Sequence, residues 1–257
     1  GNESAIRITK PQPPKHEGPI RVLFVGNSHT ESIVSYPMLL DALCKANGKQ
    51  VEIYTLVEMG VSIDKILEAH KSEADELFGK KDSDGNFLDY VIVQESTPVA
   101  AEEVEHFSKD AKTIHELVTK NSPNIATYIY ELAAPVDCSD TDYEEMQKLL
   151  SDNVAKVAKE TPNAGILNFA TVLRSAYEGK EGYVAIKDGK DLLRNTDGSK
   201  HVLNDAGFMN SVVLYQYLFG ETPKIPQQLP LATGTGDQDE IKDLDVSTAI
   251  SNSQALL

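Results

Sequence analysis

No stretch of this sequence approaches the roughly 18 consecutive apolar residues of a membrane-spanning helix, cysteine is nearly absent, and basic residues are well outnumbered. The first lack excludes membrane insertion as an expectation. The two cysteines, Cys44 and Cys138, stand far apart and form neither a CxxC motif nor a disulfide framework. Cys44 falls among Met38, Leu39, Leu40 and Leu43 and reads as a buried, inert thiol. With 24 basic against 40 acidic residues the formal charge is −16. Such a field repels phosphate backbones and anionic lipid, so nucleic acid and membrane surfaces are poor partners, and a neutral or cationic ligand fits better.

What is present suits one large domain. The 257 residues are 40% hydrophobic and 25% charged, the balance of a soluble α/β protein with a sizeable core. The chain opens on Gly1-Asn2-Glu3 with neither initiator Met nor export signal, which reads as a processed polypeptide. Its polar, Pro-rich start (Lys10 to Pro14) resembles the tether that follows a removed export signal, so a secreted, periplasmic or envelope location is expected. Pro11, Pro13 and Pro14 forbid a helix, and residues 1–19 are expected as an extended, loosely ordered arm. Residues 20–257 then form a single domain.

Five β-branched apolar runs predict buried strands at 20–26, 51–57, 88–94, 125–131 and 165–170. Helical apolar spacing predicts helices over 36–46, 63–77, 101–119, 143–159 and 205–219, the fourth capped by the acidic cluster Asp140 to Asp142. A surface segment at 222–238 and a last weak helix at 239–257 complete the reading. Strand–helix alternation argues for a parallel sheet in a three-layer αβα sandwich, its ligand site at the edge where the strands end.

The residues just past the strands therefore bear the chemistry. After the first run comes Gly26-Asn27-Ser28-His29-Thr30: a glycine closes a strand and a small nucleophile follows on a tight turn. Capping of a plain turn by Asn27, Ser28 and Thr30 is the other reading. No GxGxxG or P-loop pattern is present, which excludes a nucleotide fingerprint. After the second run stands Glu58-Met59-Gly60-Val61-Ser62, where a glycine lets a backbone N–H approach a ligand. After the third, Gln94 could present a side-chain amide to an oxyanion, with Glu95 and Ser96 beside it. Near the C-terminus, Asp197 precedes His201 closely enough to orient an imidazole. His70, His106 and His115 lie on helices without HExxH spacing, so no metal is expected.

Taken together, Gly26-Asn27-Ser28, Gly60, the block Asp89 to Ser96 and Asp197…His201 resemble the SGNH (GDSL-type) hydrolases over residues 20–220. Gln94 stands where the family's third block carries asparagine, a form similar to a branch of bacterial envelope proteins. The Asp and His are separated by three residues rather than the usual two. The resemblance implies a flavodoxin-like SGNH hydrolase fold with Ser28 as nucleophile, His201 as base and Asp197 as its orienting carboxylate. It also implies an oxyanion hole from Ser28, Gly60 and Gln94, no cofactor, and a small-molecule or carbohydrate ester as substrate, with O-deacylation as the reaction. Asn27, His29 and Glu95 are the pocket candidates. Ser62 and Ser96 are rival nucleophiles, and Glu95 is the alternative to Asp197 if the longer loop misplaces that carboxylate. A non-catalytic glycan-binding or scaffold domain of the same shape is the competing reading.

Overall fold

The computed structural model describes residues 10–226, 229–232 and 238–240. Its centre is a five-stranded parallel sheet in the order β2-β1-β3-β4-β5, with β1 at Ile20–Gly26, β2 at Val51–Val57, β3 at Tyr90–Val93, β4 at Ala126–Tyr130 and β5 at Ala164–Leu167. Val22, Leu23, Phe24 and Val25, and all four residues of β3, are buried on both faces of the sheet. That explains why these strands read as continuous apolar runs rather than alternating ones. Register pairs Val25 with Val93 and Val93 with Ile129, so the strand ends share one edge. The strand order reverses between β1 and β3, which makes the gap beyond Gly26 and Val93 the natural ligand position.

The helices cover both faces. In α1, Tyr36–Ala46, the hydroxyl of Ser35 accepts a hydrogen bond from Met38 N at 3.3 Å, and Pro37 lies in the first turn, where its missing N–H costs nothing. Leu39, Leu40 and Leu43 are fully buried, each contributing about 1.5–3 kcal/mol of apolar burial. They face α8, Asn204–Phe219, which is buried around almost its whole circumference. A side chain at Gly207 of α8 would collide with Val34, so glycine lets this helix press into the segment that leads to α1.

The fold class is as the sequence predicts; several boundaries differ. The helix expected over 63–77 is two, α2 at Ile63–Ala69 and α3 at Lys71–Phe78, because His70 leaves helical geometry and its Nε2 meets Glu58 Oε2 at 2.8 Å. The helix expected over 101–119 begins earlier and breaks at Glu103, giving α4 at Thr97–Glu102 and α5 at Val104–Thr119. The fifth strand stops at Leu167. Asn168 turns the chain, its Oδ1 held by Tyr217, and Phe169–Tyr177 form an unexpected helix, α7. In α6, Tyr143–Glu160, Asp142 makes no side-chain cap; Glu144 and Glu145 in the first turn complement the helix dipole instead.

The described part of the arm is tied down. Gln12 exchanges two backbone hydrogen bonds of 2.8 Å with the Asn163 side chain, and His16 Nε2 meets Asp89 Oδ1 at 2.5 Å. Past α8 the chain returns to the end of α1, where Asn47 bonds Lys224, before a hairpin of β6, Pro230–Ala232, and β7, Gln238–Glu240. Asp239 and Glu240 thus belong to a strand; the rest of the helix expected over 239–257 lies outside the described residues. Both cysteines are free, and burial pushes the Cys44 thiol up to about 12.

Candidate active site

The turn after β1, which carries Ser28, is built from beneath. At its start the N–H groups of Thr30 and Glu31 both bond Asn27 O, at 2.9 and 3.2 Å, and His29 N bonds Asn27 Oδ1 at 3.1 Å. This closes a tight turn in which Asn27 uses its side chain as a local acceptor. Gln94, 1% exposed, lies under that turn. Its Oε1 accepts from Asn27 N at 2.9 Å and from Thr30 Oγ1 at 2.8 Å. Its Nε2 donates to Asn27 Oδ1 at 2.9 Å and to Glu95 O at 2.6 Å. A Cβ at Gly26 would stand inside the van der Waals surface of Thr30 Oγ1 and Gln94 Oε1, so only glycine lets the amide come this close.

Ser28 rises from this platform half-buried, and its Oγ lies 2.7 Å from His201 Nε2. His201 Nδ1 lies 2.6 Å from Asp197 Oδ2. The three-residue separation is absorbed by Lys200, which takes a left-handed backbone (φ 50°) while its ammonium pairs with Asp137 at 2.8 Å. Asn195 then sets the loop: its Oδ1 accepts from His201 N at 2.9 Å and its Nδ2 donates to Asp197 Oδ2 at 2.9 Å. A bridge between Arg194 and Val202 closes the base of the loop. Burial pushes the Asp197 carboxyl up, but hydrogen bonds from His201, Asn195 and the Lys200 backbone outweigh it and hold the group at about 2. A carboxylate kept ionised beside an imidazole N–H stabilises the imidazolium.

Other predicted residues divide. Gly60 is exposed at the tip after β2 with φ 74°, a conformation that suits glycine. Among the described residues, neither the Ser28 N–H nor the Gly60 N–H is engaged in a hydrogen bond. Asn27 Nδ2 reaches Val61 O at 3.3 Å and so links the two turns. His29 is buried; its ring lies 5.1 Å from that of His201, and its Nε2 meets Thr97 Oγ1 at 3.3 Å. Burial, then the nearby His201, lower its pKa to about 4, so it stays neutral at ordinary pH. Gln94 is a correction: with both protons of its Nε2 engaged under the turn, it has no donor left for an oxyanion. Glu95 is another. It is fully buried, its Oε1 accepts from Ile63 N and Ser96 N, and burial together with the nearby Asp110 raises its pKa far above the carboxylate range. It lines no pocket with Ser28 and cannot replace Asp197. Ser62 is turned to Asp64, and Ser96 leads into α4; His201 contacts neither.

Sequence reasoning missed Asn195, to which no periodicity or motif points; Thr30, expected as a local cap of the turn, donates instead to Gln94. Beside His29 lies a hollow with room for about a water-sized group, bounded by Tyr130, Leu132, Phe169, Arg194 and Val202.

No protein-family model matches the sequence, and no curated protein matches it. Solved structures do. A DUF4886 family protein from Bacteroides uniformis is 15% identical with a TM-score of 0.63, covering 93% of each chain. A member of the lipolytic G-D-S-L family from Veillonella parvula is 13% identical, with a TM-score of 0.55 over 79% of this chain and 99% of its own. A family 3 carbohydrate esterase from Clostridium thermocellum is 10% identical, with a TM-score of 0.52 over 79% of this chain and 96% of its own. At these identities the likeness is one of fold: the chain has the α/β architecture of the SGNH/GDSL-type hydrolases.

Proposed function

We propose that a chain with this ester-hydrolase fold is itself a serine esterase that removes a small acyl group, such as acetyl, from a carbohydrate or related alcohol. The observation that carries the reading is the continuous path Ser28 Oγ, His201 Nε2, His201 Nδ1, Asp197 Oδ2, with links of 2.7 and 2.6 Å. Those groups come from two ends of the chain, 173 residues apart.

In this mechanism His201 Nε2 takes the Ser28 proton as Oγ attacks the ester carbonyl. Asp197 holds the proton on Nδ1 and stabilises the imidazolium. The N–H groups of Ser28 and Gly60 receive the oxyanion, each donor contributing about 3–4 kcal/mol. His201 then protonates the leaving alcohol, and water attacks the acyl-enzyme by the same route in reverse. Helix α1 begins eight residues after Ser28, so the turn's own N–H groups, and not a helix N-terminus, supply the positive potential. The chemistry as written draws on side chains and backbone alone.

The acidic composition argues against a phosphate-rich substrate. An exported location goes with this reading through the resemblance of the block 89–96 to envelope proteins; no helix among the described residues is long and apolar enough to cross a membrane. The test is hydrolysis of p-nitrophenyl acetate by the wild type and by Ser28→Ala. Turnover abolished by the substitution supports the esterase. Equal background in both sinks it and leaves the glycan-binding reading.

A further inference from the structure

A second constellation lies on the opposite side of the β2–α2 loop, and it stands independently of the esterase reading. Asp64 belongs to the first turn of α2, His106 and Asp110 are one helical turn apart on α5, and Glu95 follows the end of β3. His106 Nε2 lies 3.1 Å from Asp64 Oδ1 and 3.1 Å from Asp110 Oδ2, and the three donor atoms are all within 4.8 Å of one another. One ring proton cannot point at both carboxylates. The contact to Asp64 has hydrogen-bond geometry, whereas the one to Asp110 is an ion-pair distance only.

Behind this pair the structure is short of positive charge. Asp110 is 3% exposed, and its Oδ2 accepts no hydrogen bond. Glu95 is fully buried; its Oε1 takes two backbone N–H groups, while its Oε2 has no partner other than the Asp110 carboxyl. The two carboxyl groups interact with each other. Buried carboxyl groups in contact need a proton or a metal ion between them.

We infer that Asp64, His106 and Asp110, backed by Glu95, bind a divalent transition cation of the Zn²⁺ or Mn²⁺ kind. Neighbouring ligands on such an ion, at bonds of about 2.0–2.2 Å, stand about 3.0–3.4 Å apart, the spacing of Nε2 from each carboxylate here. An imidazole among oxygens favours these ions over Mg²⁺ and Ca²⁺, and the lack of thiolate argues against Cu⁺. His106 Nδ1 lies 3.8 Å from Glu103 Oε1, beyond hydrogen-bond reach. The ion would fasten α2, which starts just past Gly60, to α5 and to the end of β3.

The experiment uses the full chain freed of metal with a chelator and titrated calorimetrically with ZnCl₂ and, separately, MnCl₂ at neutral pH. Expected is one equivalent bound with micromolar affinity and a rise in Tm that EDTA reverses. His106→Gln and Asp64→Asn, both at partly exposed positions and checked for folding by circular dichroism, should weaken binding at least about tenfold. His201→Ala should bind as the wild type does. Three results overturn the inference: no saturable binding, which leaves a shared proton between Glu95 and Asp110; unchanged binding by His106→Gln; or loss of binding only in His201→Ala.

Discussion

Strands β1 and β3 carry polar groups at both ends, and the two ends handle them in opposite ways. At the amino end Arg21 and Asp89 are bound up in charge pairing. The Arg21 guanidinium meets Glu52 at 2.9 Å and Asp82 at 2.6 Å and lies over the Phe87 ring, while Asp89 accepts from Arg21 N and contacts His16. At the carboxyl end the supports are neutral: Gln94 saturates itself on Asn27, Thr30 and a carbonyl. What the second end presents is a hydroxyl paired only with an imidazole and, among the described residues, two backbone N–H groups with no partner. Saturated groups hold a fold together; unsaturated ones on a rigid base are what a substrate can use.

The comparison breaks most sharply at Ser28. Ser28→Ala or His201→Ala should lower kcat/KM by roughly 10⁵-fold or more while leaving Tm near that of the wild type. Asp197→Asn, which offers an amide in place of the carboxylate, should cost about 10³–10⁴-fold in kcat, again with little change in Tm. Gln94→Leu separates platform from chemistry. It strands buried groups of Asn27 and Thr30, so denaturant unfolding should show a loss of about 2–4 kcal/mol, together with reduced turnover. If turnover survives with the stability gone, the platform does not position the serine.

The histidines at the two ends should titrate with opposite sign. His29 has a pKa lowered from 6.5 to about 4, chiefly by burial. Between those values the unfolded chain takes up a proton that the folded one refuses, so stability falls as pH drops through that window, by about 3 kcal/mol at most. In His29→Phe this slope in Tm against pH should flatten. His16 is raised by its hydrogen bonds to the Glu17 carbonyl and Asp89. Its contribution is therefore complete below the unfolded value and is lost as pH rises through the folded one; His16→Ala removes it. The smallest effect is expected at Arg21→Met: a loss of about 1–2 kcal/mol, since its partners are partly solvated, with esterase turnover unchanged.

Much of the fold was legible because strand formation here is a local matter. Runs such as Ile20–Gly26 and Val51–Val57 announce themselves by β-branched residues, and their limits agree with the structure to the residue. The helix breaks at His70 and Glu103 were not legible, because no glycine or proline marks them and the apolar spacing runs straight through. At the site, Ser28 could be named from its type and its position after the first strand, and Asp197 and His201 from their spacing together with the resemblance to the SGNH hydrolases. The role of Gln94 could not, since three of its four hydrogen bonds depend on where β3 lies against β1, with Asn27 67 residues away in the chain.

The sequence by itself determined the five strands, the parallel architecture and the candidate residues at the strand ends, because burial periodicity and turn chemistry are written within a few neighbouring positions. Only the tertiary structure decided which donors remain available. The strand order put Gln94 beneath the turn, a left-handed Lys200 let Asp197 reach His201, and the seating of α5 against α2 brought His106 between two carboxylates. Hydrogen-bond partners are chosen across the fold, by which surfaces meet once the apolar faces are buried, and no local pattern encodes that choice.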